Sequence, residues 1–147
     1  MVHSGAWQYF ADRLTSARSY WLATTRPDGA PHVAPVWGVV VDEVLYLYSE
    51  RRTVKARNIA ADPRIAIHLD GASDVVIVNG RADDLGAPRT QPLVVAAFDA
   101  KYTEPGDAAY LPSHDPDFDV LWALRATSAL RWLLDDYDAS QVRWSAH

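Results

Sequence analysis

"YWLATTRPDGAPHVAPVWGVVVDEVLYLYSERRTVKARNIAADPRIAIHLDG", residues 20–71, packs four strand signals and one helix signal into 52 residues. It opens in "SYWLATT", a run of aromatic and branched residues with the character of a strand. "RPDGAP" supplies the turn, because Asp-Gly tolerates the positive φ of a tight hairpin. "PHVAPVWGVVV" and "EVLYLYS" then read as two strands about a short turn at Asp42 and Glu43. A helix follows. Thr53 is its N-cap, Ile59 lies four residues after Lys55, and Pro63 closes the segment. "RIAIHLD" begins a further hairpin, which turns through "GAS" into "DVVIVNGRADDL".

Working outward, residues near 7 to 17, "WQYFADRLTSA", fit a short amphipathic helix with Phe10 and Leu14 on one face. From Ala87 to Tyr102 a second long helix is expected. Pro88 and Pro92 suit its lead-in, and Val94, Val95, Phe98 and Tyr102 form its apolar stripe. "TEPGDAAYLPSHDPDFD" is a polar loop. "VLWALRATSALRWLLDD" returns to strand character, bent or interrupted near Thr127 and Ser128, and reads as paired strands. "SQVRWS" ends the chain. Six or seven antiparallel strands with short helices between them point to one mainly β domain over residues 1–147, a small closed barrel, which removes exposed sheet edges.

Composition narrows the function. With 147 residues the chain is long enough to bury a real core. It has no cysteine, which excludes disulfide and thiolate chemistry. His3, His32, His68, His114 and His147 show no metal-ligand spacing, so no metal is expected. No apolar run approaches a membrane span, and "MVHSGAWQYF" has no apolar signal core, so a cytoplasmic location is expected. The formal charge of -5 argues against nucleic acid.

Against that acidic balance, residues 48–64 gather Arg51, Arg52, Lys55, Arg57 and Arg64 where a strand gives way to a helix. A helix N-terminus presents unpaired amides and a positive dipole end. Ser49 and Thr53 add hydroxyls, and the basic residues add charge. The sum is a cradle for a phosphate or carboxylate. The same residues also describe a solvated helix face with weak surface ion pairs.

Taken together, "DGAPHVAPVW", a strand ending in Ser, the Lys-x-Arg-Asn helix and "DPR" resemble the flavin- or deazaflavin-binding split β-barrel superfamily. That group includes pyridoxamine phosphate oxidase and the F420-dependent reductases. The resemblance covers roughly residues 15 to 85, and "SQVRWS" is similar to the deazaflavin branch. It implies a homodimer with two cofactor sites at the subunit interface. It implies that Ser49, Arg51, Thr53, Lys55 and Arg57 hold the cofactor's phosphate and acidic tail, with Pro35, Val36 and Trp37 along the ring system. It puts Asn79 near the ring or substrate, though a β-bulge amide beside Gly80 explains Asn79 equally. Arg143 and Trp144 reach the partner's site or simply form an edge strand.

Two cofactors compete, coenzyme F420 and FMN, and the trail of basic residues favours the longer anion of F420. The implied activity is hydride transfer to an activated double bond of an enone, quinone or tetrapyrrole. The chain lacks the Arg-x-His and closing Arg-Leu-x-Pro motifs of the pyridoxamine phosphate oxidases, which puts that substrate in doubt. No catalytic residue is assigned; solvent, Tyr48, Tyr102 and His68 are the candidate proton donors. Trp37, Trp122 and Trp132 suit either a flat pocket or the core. A carrier of F420, flavin or haem on the same fold is the competing class, with His68 or His32 as haem ligand.

Overall fold

A computed structural model describes residues 3–4 and 6–146; Met1, Val2, Gly5 and His147 lie outside it. In chain order the elements are β1 (His3–Ser4), α1 (Trp7–Ser16), β2 (Tyr20–Thr25), β3 (Pro31–Val36), β4 (Gly38–Val41), β5 (Val44–Ser49), α2 (Val54–Ala61), β6 (Arg64–His68), β7 (Asp74–Asp84), α3 (Pro92–Lys101), β8 (Val120–Leu133), α4 (Tyr137–Ser140) and β9 (Val142–Ser145).

β3 pairs with β2, β2 with β6, β6 with β7, β7 with β8, β8 with β5 and β5 with β4, all antiparallel. Because β3 runs into β4 across the single residue Trp37, the ladder closes on itself as a split barrel. β9 pairs with the far half of β8, and β1 adds to β9 in parallel, a departure from the wholly antiparallel expectation.

Alternation sends Tyr20, Leu22, Val36, Leu47, Ile65, Ile67, Val76, Val78, Trp122 and Leu124 inward. α1 closes one end of the barrel with Phe10 and Leu14, each 0% exposed. Burying two such side chains contributes about 1.5–3 kcal/mol each. α2 closes the other end through Ala56 and Ile59, and buried Asn58 donates to Thr24 Oγ1 at 3.1 Å. A second apolar cluster lies outside the barrel, where Val94, Phe98 and Tyr102 of α3 pack on Val39, Tyr48 and Leu121.

Local chemistry explains the turns. Asp42 and Glu43 have φ of 50° and 66°, the signature of a two-residue type I′ hairpin. Trp7 Nε1 secures that turn by donating to Glu43 O at 2.7 Å. Residues 120–133 form one strand, not a pair. Asn79 opposes Ser128 while Gly80 opposes Ala126, so Thr127 is the extra residue of a β-bulge, which bends a strand without ending it. Gly80 is required there, because a Cβ would sit 2.4 Å from Arg125 O.

Candidate functional site

The site begins where β5 ends. Ser49 is buried, and its hydroxyl lies 3.3 Å from that of Thr53. Thr53 Oγ1 accepts from Ala56 N at 3.3 Å and donates to Glu50 O at 2.8 Å, so the helix starts on a true N-cap. The basic residues then divide. Arg51 forks onto Asp84 at 2.8 and 3.0 Å, and its backbone N–H donates to Asp119 at 2.7 Å. Arg52 pairs with Glu50 at 2.9 Å and Arg64 with Asp62 at 2.7 Å. Among the described residues, Lys55 and Arg57 make no ion pair. Burial holds the half-buried Lys55 ammonium below the ordinary lysine range, with Glu50 pulling the other way.

Lys55 and Arg57 line a cleft of about 460 Å³ with Thr53, Val54, Glu50, Arg52, His32 and Ala34. Glu50 is already neutralised by Arg52, so the net field in the cleft is positive. His32 Nδ1 is buried without a hydrogen-bond partner. A second cleft of about 450 Å³ adjoins the first, sharing Val54 and Arg57 and adding Arg26, Asp28 and Asn58. Together they form a groove along α2 lined by Lys55, Arg57 and Arg26, with Asp28 at its far end.

The structure thus brings Ser49, Thr53, Lys55 and Arg57 together and turns Arg51 toward Asp84. Val36 points into the core and Pro35 outward. The ring of Trp37 stacks on Tyr102 with centroids 4.2 Å apart at 6°, in the outer cluster and away from the cleft, whose β3 residues are His32 and Ala34. Asn79 stands at the bulge on the outer face and donates to Ser128 Oγ at 3.2 Å. Trp144 packs on Trp7 at 4.9 Å. Sequence reading missed Ala34 and Arg26 altogether and gave His32 a different part. The register Thr24 to His32 and Leu22 to Ala34 puts both β3 residues on the inward face, a signal that strand alternation carries.

None of the weighed proton donors is poised at this groove. Tyr48 donates to the Tyr110 carbonyl, and burial raises its phenol. Tyr102 donates to Arg18 O at 2.6 Å, and burial pushes it up to about 12. His68 is exposed, stacked on Trp21 at 6.2 Å. The arrangement has the donors and charges to hold an anion and offers no redox group of its own among the described residues.

Comparison with known proteins fits that geometry. Residues 7–128 match the family model described as pyridoxamine 5'-phosphate oxidase. A conserved hypothetical protein from Mycobacterium tuberculosis is 27% identical, with a TM-score of 0.72, over 89% of this chain and 86% of that one. An F420 reductase is also 27% identical, with a TM-score of 0.63, over 80% of this chain and 94% of that one. A heme binding protein from Mycobacterium smegmatis shares the fold at 20% identity and a TM-score of 0.72, over 99% of this chain and 60% of that one. No curated protein matches the sequence.

Proposed function

The chain belongs to the pyridoxamine 5'-phosphate oxidase family, and from that premise we propose that it is an F420-dependent reductase acting on a small planar acceptor. The acceptor class is an enone, a quinone or a tetrapyrrole with an activated double bond. One observation carries the reading: Lys55 and Arg57 face a groove at the start of α2 and make no ion pair among the described residues, while Glu50 beside them is paired with Arg52. An anion is what such a groove lacks.

In this reading Ser49, Thr53, Lys55 and Arg57 hold the phosphodiester, and Arg26 meets the acidic tail. The β3 backbone at Pro35 to Trp37 runs beside the ring system. Bound and reduced, the deazaflavin supplies a hydride. The protein's own part would be to hold the acceptor against the bound ring and keep water out. The similarity to an F420 reductase supports this choice. The pairing of Arg51, Arg52 and Arg64 with carboxylates favours a second reading, FMN, whose single phosphate needs fewer cations.

The protein acts as a homodimer in this reading. The outer face of the sheet sets Trp21, Ala23, Ala66, Ile77 and Leu130, interspersed with His68, Asn79 and Ser128, between exposed Val33 and the half-buried Trp132, a mixed face suited to a second copy.

The test is a pair of titrations with oxidised F420 and with FMN, followed by tryptophan and cofactor fluorescence, then turnover with each acceptor class. Binding of F420 with acceptor-dependent oxidation of its reduced form supports the reductase. Binding without turnover makes the protein a carrier, and binding of FMN alone selects the second reading. Failure of both to bind below about 100 μM, roughly 5.5 kcal/mol, leaves only a solvated helix face.

A further inference from the structure

One carboxylate stands among the cations of the groove. Glu50 lines the cleft with Thr53, Lys55 and Arg57, and its side chain is 18% exposed. Its place is fixed from both sides. Ser49 before it ends β5 and is buried. The Glu50 carbonyl accepts from Thr53 N at 3.1 Å and from Thr53 Oγ1 at 2.8 Å, so the turn that starts α2 holds this residue beside the hydroxyls of Ser49 and Thr53.

The partner of Glu50 leaves it half satisfied. Arg51 covers both oxygens of Asp84, and Arg64 both oxygens of Asp62. Arg52 instead sets Nε at 3.1 Å and Nη2 at 2.9 Å from a single oxygen, Oε2 of Glu50. Oε1 accepts no hydrogen bond among the described residues. Arg52 is also 81% exposed, so water screens the pair. The cations keep the cleft positive as a whole, but next to Oε1 the field is negative. A carboxylate so placed accepts hydrogen bonds, donates none, and repels a second negative charge.

We infer that Glu50 selects the class of phosphate this groove takes, a phosphodiester in preference to a phosphomonoester. The inference rests on the anion groove proposed above and names what that groove discriminates. A phosphomonoester carries about −1.5 to −2 charges near neutral pH, and a diester a single charge. Lys55 and Arg57 attract both. Glu50 opposes the extra charge, and a built-in repulsion of this kind is how a site rejects a close relative of its ligand. Its unpaired oxygen has a partner in either ligand, a hydroxyl of the polyol chain that joins ring to phosphate. Glu50 thus orients that chain, disfavours the terminal phosphate of FMN and tolerates the diester of F420.

Two probes separate charge from shape: the phosphomonoester formed by the deazaflavin's polyol chain, and the methyl ester of that phosphate. They share ring and chain and differ by a methyl group and a charge. FMN and its methyl ester are the matching flavin pair, and the pair whose ring the wild type binds is used. Fluorescence titration at fixed pH reads the ratio of dissociation constants, and the wild type should bind the methyl ester more tightly. Glu50→Gln keeps the shape and an acceptor oxygen but removes the charge. It should tighten the monoester about tenfold and leave the methyl ester within about twofold. Glu50→Ala removes the acceptor too and should weaken the methyl ester several-fold. Arg52→Gln leaves the carboxylate without its counter-charge and should widen the wild-type preference. Equal shifts of both probes in Glu50→Gln would overturn the inference. So would a lowered melting temperature with the ratio unchanged, the mark of a helix-start role alone. Either result leaves the groove standing. Failure of F420 and FMN alike to bind the wild type defeats the groove, and the inference with it.

Discussion

The protein has two lysines, and they occupy places that look alike and behave oppositely. Lys101 ends α3 and Lys55 lies in the first turn of α2; both are half-buried, and burial lowers both ammoniums, Lys101 to about 8. Lys101 is fully engaged. It donates to Tyr20 Oη at 2.8 Å and Gly38 O at 2.7 Å, and it lies over the Tyr20 and Tyr102 rings at 4.9 and 5.2 Å. It also sits at the helix end that favours a cation. Lys55 has no ion pair among the described residues and sits at the helix end that repels one. What separates a structural lysine from a site lysine is thus the partner, not the burial.

That contrast can be broken at several points. The largest effect is expected from Lys55→Ala with Arg57→Ala, which should weaken cofactor binding at least tenfold, about 1.4 kcal/mol or more, with the melting temperature unchanged. Lys101→Ala should do the reverse. Urea unfolding should show a loss of about 1 kcal/mol, while cofactor affinity stays as in the wild type. Equal effects of the two changes on binding would erase the distinction. Thr53→Ala should cost somewhat under 1 kcal/mol of stability through the lost cap, with a few-fold loss of affinity.

The smallest effects are in pH dependence, and their signs differ. An anion binds the charged form of Lys55, so affinity should fall as pH rises through its lowered pKa, sooner than for an ordinary lysine. Lys55→Arg should move that loss beyond the accessible range, as read by fluorescence titration across pH. For Lys101 the unfolded chain keeps its proton to about 10.5 while the folded chain releases it near 8. Between those values the unfolded state binds more protons, so stability should rise with pH, a slope that Lys101→Met removes.

Much of the fold was legible because it is written locally. The Thr53 cap, the Phe10 and Leu14 stripe and the Asp42–Glu43 turn each depend on residues within a few positions. The bend at Thr127 was visible too, but whether it ended the strand was not, since that depends on Gly80 admitting a bulge from across the sheet. In the candidate site, that Lys55 and Arg57 share one cleft at the start of α2 follows from their places on the helix. The capture of Arg51 by Asp84, 33 residues away, could not, because only the closed barrel brings β7 beside the start of α2. Nor could the direction of the Trp37 ring, which α3 decides by placing Tyr102 beneath it.

The most direct measurement of the central claim is a side-by-side titration of wild type and the Lys55→Ala, Arg57→Ala double variant with oxidised F420. The expected result is tight binding by the wild type, at least tenfold weaker binding by the variant, and identical melting curves. Equal affinities would show that the anion is held elsewhere and that Lys55 is as structural as Lys101.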